Sequence, residues 1–214
     1  MRVSKAVCAT TVAVALFAAP GCTKVVPGSA VQGAGAPDAA TNPCTRVDAP
    51  LTSIEPRAVG EPRLQIPEPP GWQRAPLVNS PIIRYTMDNQ ALTTRRFTPT
   101  AVVTLESELG DNQDTQKIFD QERAQLINGL HATRVRTAET TVCGLNAETV
   151  SYDAPHMARV PPRKVKTVMV AGAFNGNTYV ATVTVQTTDP SNPIYARDSA
   201  TILTGFQMLP PAER

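Results

Sequence analysis

The sequence has few of the residues that most catalytic and metal sites need. Of its 214 residues only two are histidine and four are cysteine, and aromatic residues make up 5% of the chain. The patterns HExxH, GxSxG, GxxxxGK[ST] and CxxC are all absent. These absences exclude the enzyme classes that carry such a motif, and they predict that the protein has no cofactor, no metal ion and no recognisable catalytic residue.

The chain also lacks an excess of charge of one sign. It has 20 basic and 18 acidic residues, and two of the basic residues, Arg2 and Lys5, precede the first apolar run. Nucleic-acid binding requires a concentrated positive surface, so the balance predicts no nucleic-acid partner. One basic cluster lies in ARVPPRKVK, which we interpret as a solvated loop and strand end, the alternative being contact with anionic headgroups. Its members are Arg159, Arg163, Lys164 and Lys166.

Only one long apolar run is present, Ala6–Pro20, and at about 15 residues it is shorter than the roughly 20 that a membrane-spanning helix requires. A basic start, an apolar middle and small residues are typical of a secretory signal. The small residues before Cys22 in AAPGCT resemble a lipobox. That resemblance implies a signal peptide over residues 1–21 and acylation of Cys22, with diacylglycerol on the thiol and a fatty acid such as palmitate on the new amino terminus. The alternative is an ordinary secreted protein cut near Ala19.

The cysteines predict one disulfide bond. Cys8 leaves with the signal and Cys22 carries the lipid, so Cys44 and Cys143 remain. An even pair in an exported protein indicates a bridge between the two.

The few titratable residues in suggestive positions do not form a convincing site. The two histidines, His131 and His156, are not at metal-ligand spacing from the cysteines or from each other. Asp153 and His156 in YDAPH fit a base and the group that orients it, but such a pair in a proline-containing loop is commonly incidental. Glu106 and Glu108 are two residues apart on a predicted strand, where carboxylates mostly serve solubility.

Composition divides the rest of the chain into a tether and a folded domain. After Cys22 the chain is rich in Pro, Gly, Ala and Thr without aromatic residues up to about residue 60, so it has little apolar area to offset the loss of chain entropy. We predict a lipidated, low-complexity tether over 22–60 that is pinned to the body near Cys44. A single globular domain over 61–209 and a short tail over 210–214 follow.

Within the domain the patterns predict an antiparallel sheet with two helices. Asn175-Gly176 between two β-rich arms is typical of a tight hairpin, and the second arm resembles a central strand that helices cover on both sides. Helices are predicted over about 115–130, with Phe119, Leu126, Ile127 and Leu130 towards the core, and over 191–206. The predicted strands are 63–66, 82–87, 100–107, 133–138, 147–152, 165–174 and 178–188.

Several segments in this order resemble the actinobacterial LpqN/LpqT-type lipoproteins. The resemblance covers about residues 60–209 and rests on the lipobox-like start and on EPRLQIPEPPGW, CGLNAETVSYD, the hairpin around Asn175-Gly176, and ARDSATILTGF. It implies an α+β fold of the PsbP type, in which helices flank both faces of an antiparallel sheet. It also implies a mycobacterial-type envelope lipoprotein, and it transfers no active-site residue.

These observations lead to two functional hypotheses. The first is a non-enzymatic binding module on the extracytoplasmic face of the cell membrane, held there by its lipid anchor, whose partner is an envelope protein or an apolar envelope lipid or glycolipid. A groove near Trp72 or Tyr179 is one place for such a site, although core packing is the favoured interpretation of both aromatic residues. The alternative is a hydrolase or transferase that acts on envelope material through an unrecognised site.

Overall fold

The computed structural model describes residues 43–77, 79–111 and 113–212. The predicted signal peptide, Cys22 and the first part of the predicted tether lie outside these residues. The described residues form ten strands, two α-helices and one turn of 3₁₀ helix at Gln90–Leu92. The elements are β1 (Leu51–Ile54), β2 (Arg63–Pro67), β3 (Gln73–Arg74), β4 (Ile83–Asp88), β5 (Thr100–Leu109), α1 (Thr115–Asn128), β6 (Thr133–Val142), β7 (Leu145–Ala154), β8 (Arg163–Phe174), β9 (Asn177–Thr187), α2 (Pro193–Gly205) and β10 (Gln207–Leu209).

The strands form two antiparallel sheets. The large sheet has the order β3-β4-β5-β9-β8-β7-β6, and the small sheet has the order β1-β2-β10. The β8–β9 hairpin turns at Asn175 and Gly176, whose φ angles of 51° and 78° lie in the left-handed region that a type I′ turn requires. The predicted hairpin and its turn chemistry are therefore confirmed.

Alternate residues of β9 belong to two separate clusters of buried side chains. Val183 packs in the larger cluster with Ile66 of β2 and Ile202 of α2. Val180 packs in a second cluster with Phe119 of α1. The predicted α+β class is confirmed as an arrangement of two antiparallel sheets and two helices that is mostly sheet. The finer expectation, helices flanking both faces, is not established, because the small sheet shares one face with α2.

The prediction for the apolar stripe of α1 is wrong at its C-terminal end. Ile118 and Phe119 are the buried residues of this helix, whereas Ile127 is 47% exposed and Leu130, just beyond the helix, is 38% exposed. Periodicity identifies the stripe but assumes that the sheet covers its whole length. In the structure α1 is buried at its N-terminal turns, where Asp114 caps the helix by accepting from the backbone N–H groups of Gln116 and Lys117.

The disulfide joins the start of the described chain to the turn between β6 and β7. Cys44 and Cys143 are bridged across a separation of 99 residues. Cys143 and Gly144 form the two-residue turn, with φ angles of 52° and 80°. The chain therefore enters the body at this end of the large sheet. The strand β1 shows that the segment after Cys44, which composition assigned to the tether, takes part in the folded body.

Neither helix in the described ranges is long and apolar enough to cross a membrane.

Replacing Cys44 and Cys143 together by Ser is expected to lower the free energy of unfolding by about 2–5 kcal/mol, because the unfolded chain loses a long-loop constraint. Urea denaturation of the oxidised protein and of the variant measures the difference. Wild-type protein unfolded under reducing conditions is the control and should match the variant. Alkylation of both cysteines in native, unreduced protein, located by peptide mapping, would show that the bridge is absent.

Candidate functional site

The two aromatic residues that marked a possible groove are part of the core. Trp72 and Tyr179 are 2% and 7% exposed. The Trp72 indole Nε1–H donates to Oδ2 of the buried Asp198 at 3.0 Å, which fixes the ring against α2. The core interpretation of both residues is confirmed.

The Asp153–His156 pair does not form a base and its orienting group. Asp153 accepts hydrogen bonds from Lys164 and Arg134, and these interactions, that of Lys164 first, hold the pKa of the Asp153 carboxyl below its usual value. No hydrogen bond joins Asp153 to His156 among the described residues. Asp153 is therefore an ion-pair partner for two cations rather than the orienting group of a general base.

Two adjoining cavities run along α1, and we call them together the α1 groove. One, of about 610 Å³, lies at the C-terminal end of the helix. The other, of about 550 Å³, lies where the helix faces β5 and β9. Glu122, Ala124 and Gln125 line both. The first is otherwise lined by Leu126, Asn128, Gly129 and Leu130, and the second by Glu106, Ser107, Glu108, Ile118, Gln121 and Val180.

Three carboxylates meet in the second cavity. Burial raises the pKa of Glu122, and the negative charges of Glu106 and Glu108 raise it further. The sequence placed Glu106 and Glu108 together on one strand but gave no signal for Glu122, which joins them only when α1 packs beside β5. The α1 groove thus has an apolar end at Leu126 and Leu130 and a carboxylate end at β5.

This arrangement suits a molecule that has an alkyl part and hydroxyl groups. At one end of the groove the side chains of Leu126 and Leu130 offer apolar surface that favours contact with hydrocarbon. Carboxylate oxygens accept hydrogen bonds from hydroxyl donors and repel an anionic group.

A third cavity, which is separate from the α1 groove and which we call the basic cleft, lies where β6, β7 and β8 meet the loop after β9. It has a volume of about 450 Å³, and Arg95, Arg134, Arg163 and Lys164 line it with Asp153 and Asp189. An adjoining cavity of about 250 Å³ adds Arg136 and Lys166. The basic cluster in ARVPPRKVK is therefore only partly a solvated strand end, because the fold brings three of its members next to arginines from β6 and from the loop before β5. Sequence spacing gave no signal for that convergence.

Comparisons with a family model and with a solved structure both point to LpqN. A family model described as "Probable lipoprotein LpqN" matches residues 46–209. A crystal structure of LpqN, described as involved in cell envelope biogenesis of Mycobacterium tuberculosis, superposes with a TM-score of 0.59 at 16% identity, covering 77% of this chain and 93% of the other. At that identity the superposition shows the fold alone. No curated protein gives a significant match.

Replacing Glu122 by Gln is expected to stabilise the protein at neutral pH. The folded-state pKa of Glu122 lies above its ordinary value of 4.5, so just above that pH the folded state binds more protons than the unfolded chain. The contribution of Glu122 to stability therefore falls as the pH rises through this interval. The variant should have the higher urea midpoint at pH 7, and the difference should disappear towards about pH 4, where the unfolded carboxyl is also protonated.

The control for this measurement is Glu55→Gln, which removes an exposed carboxylate from a loop outside the α1 groove. If the urea midpoint at pH 7 rose equally in both variants, the cause would be the change in overall charge rather than the position of Glu122. A gain for Glu122→Gln that persists unchanged at pH 4 would contradict the assigned role of its ionisation.

Proposed function

Because the chain belongs to the LpqN lipoprotein family, we propose that it is a lipid-anchored protein of the cell envelope whose folded domain binds an apolar lipid or glycolipid. The observation that carries this proposal is the α1 groove, which combines an apolar end with a wall of hydroxyl-accepting carboxylates. The involvement of LpqN from M. tuberculosis in cell envelope biogenesis supports the same setting.

The anchor is the acylated Cys22 that the lipobox-like AAPGCT predicts. It holds the domain at the extracytoplasmic face of the cell membrane, and tethering raises the effective concentration of the domain for ligands and partners in that layer. The chain enters the folded body at Cys44, where the disulfide fixes it to the end of β6.

A binding role fits the groove better than hydrolysis or group transfer. Those reactions require a nucleophile, a base and oxyanion donors around one point. In the groove the titratable residues are three carboxylates, and Glu122 has its pKa raised by burial and by like charges rather than by an activating partner. The volume of each cavity lies in the range of small-molecule sites, which is about 300–1,000 Å³.

Replacing Cys22 by Ala is expected to move the protein from the detergent-extracted membrane fraction to the soluble or culture fraction. Acylation at this residue is the proposed membrane attachment, and two acyl signals are needed for stable anchoring. Fractionation followed by immunoblotting measures the shift, and intact mass measurement of the wild-type protein detects the acyl groups. An unmodified mature amino terminus would exclude the anchor but would leave the groove untouched.

Replacing Leu130 by Gln is expected to weaken binding of an alkyl glucoside by about three- to tenfold, because the variant loses part of the apolar contact at the end of the groove. Titration calorimetry below the critical micelle concentration measures the affinity, with the Cys22→Ala full chain as the background. Glucose without an alkyl chain tests whether the sugar alone is bound.

The matched control is Ile127→Gln. Ile127 lies in the last turn of α1, three residues before Leu130, and is exposed to a similar extent, but it does not line the groove. Equal weakening in both variants, or no binding of the alkyl glucoside to the parent protein, would exclude the α1 groove as the lipid site.

A further inference from the structure

The basic cleft holds more positive charge than its carboxylates balance. Arg134 and Lys164 both pair with Asp153. Asp189 accepts a hydrogen bond from the Ser191 hydroxyl at 2.7 Å. The two remaining cations of the cleft, Arg95 and Arg163, take part in no ion pair among the described residues.

Arg163 has unused hydrogen-bonding capacity. Its Nε–H donates to the side-chain oxygen of Gln186, a neutral group. Its Nη1 is buried and has no hydrogen-bond partner in the described residues. A buried guanidinium nitrogen without an acceptor is unfavourable. An anion that reached this group would supply the missing hydrogen-bond acceptor.

Arg95 occupies a backbone conformation that its side chain does not favour. Arg95 and Arg96 have φ angles of 51° and 61° and form a two-residue turn. Reciprocal backbone hydrogen bonds between Thr94 and Phe97 close this turn at 3.0 Å and 2.9 Å. Glycine and asparagine are the usual residues in such a turn. Two successive arginines cost backbone strain there, and strain of this kind points to a functional role for the side chain.

The strained turn is tied to the cleft. The Thr188 hydroxyl donates to the carbonyl oxygen of Thr94 at 3.1 Å, and Thr188 itself lines the cleft. Of the two arginines in the turn, Arg95 lines the cleft and Arg96 does not. The turn therefore presents one arginine to the cavity and leaves an otherwise comparable arginine outside.

Arg134, which also lines the cleft, has a left-handed backbone conformation too. Its φ angle is 53°, and the β6–β7 register shifts between Thr133 and Arg136. Such irregularities redirect side chains out of the regular alternation of a strand. Two of the four cations that line the cleft thus come from left-handed backbone positions in separate segments.

We propose that the basic cleft binds a phosphate group, with Arg95 and Arg163 as the principal donors. Guanidinium groups donate parallel hydrogen bonds to phosphate oxygens, and these charge-assisted bonds are stronger than neutral ones. Thr133 adds a hydroxyl group to the lining. The volume of about 450 Å³ leaves room for a larger molecule that carries the phosphate.

The cleft and the point of chain entry lie at opposite ends of β6. Thr133 begins β6 and pairs with Asp153, whereas Cys143 follows the last residue of that strand. The length of β6 therefore separates the cleft from the point of chain entry by roughly 30 Å. This proposal does not depend on the α1 groove, and it can fail without affecting the proposed lipid-binding function.

The experiment is a titration of the Cys22→Ala full chain with inorganic phosphate, followed by NMR chemical shifts or calorimetry. Arg95→Asn is expected to weaken phosphate binding about tenfold, the size of one charge-assisted hydrogen bond at a partly exposed site, while the melting temperature stays equal or rises because Asn accepts the left-handed conformation. Arg96→Asn removes the same charge from the same turn and should change phosphate affinity less than about twofold, which is the size of a screened surface charge.

Vesicles distinguish the possible sources of the phosphate. Binding of inorganic phosphate without binding to phosphatidylglycerol vesicles supports a soluble phosphate compound. Binding to phosphatidylglycerol but not to phosphatidylcholine vesicles, with loss in Arg95→Asn alone, keeps the phosphate site and assigns it to a lipid headgroup. Equal losses in Arg95→Asn and Arg96→Asn, or no binding to either probe by the parent protein, overturn the proposal.

Discussion

Each residue of β9 from Asn177 to Gln186 is paired on both sides, with β5 along one edge and with β8 along the other. This double pairing is the constraint on which the rest of the molecule depends, because it fixes which side chains point to each face of the large sheet. Val183 and its neighbours two residues away face the larger core with β2 and α2, and Val180 faces α1. A shift of one residue in β9 would exchange these faces and remove the partner surface of both helices.

The segments at the two ends of the described chain are held to this sheet by contacts between distant residues. The buried Trp72–Asp198 hydrogen bond joins the chain after β2 to α2. Gly205, at the end of α2, lies so close to the entry segment that an added Cβ would come within 2.4 Å of a Val47 methyl group. Together with the Cys44–Cys143 bridge, these contacts explain why the chain from Cys44 onwards belongs to the body, although its composition resembles that of a linker.

Elements with local signals could be predicted from the sequence. Asn175-Gly176 specifies its turn through the conformations that its own residues accept, and Asn192 with Pro193 specifies the start of α2. The strands β1, β3 and β10 have only 4, 2 and 3 residues, too few for a periodic pattern to show. The first two each pair with the next strand along the chain, and β10 pairs with the distant β2. The Arg95-Arg96 turn opposes local propensity, and such conflicts are expected at functional or strained sites.

The candidate sites depended even more on contacts that no local pattern encodes. Glu122 meets Glu106 and Glu108 across a helix–sheet contact, and Arg95 shares a cleft with Arg163, which lies 68 positions further along the chain. The sequence indicated Glu106 and Glu108 as a pair, and Arg163 and Lys164 as part of a cluster, because each set lies within one segment. Chemistry that combines separate segments becomes visible only when the order of the strands is known.

Side chains of opposite charge gather near the two ends of β9, and this separation has a functional consequence. Val180 lies beside the carboxylate end of the α1 groove, and Thr188, just beyond the other end of the strand, lines the basic cleft. Eight residues of extended chain separate the two by roughly 25 Å, which is several times the screening length of about 8 Å at physiological salt. The negative and positive regions therefore do not neutralise each other, although the chain has nearly equal numbers of both charges. A neutral, hydroxyl-bearing lipid and a phosphate-bearing molecule are thus expected to occupy the protein independently, each at the end of the sheet whose charge suits it.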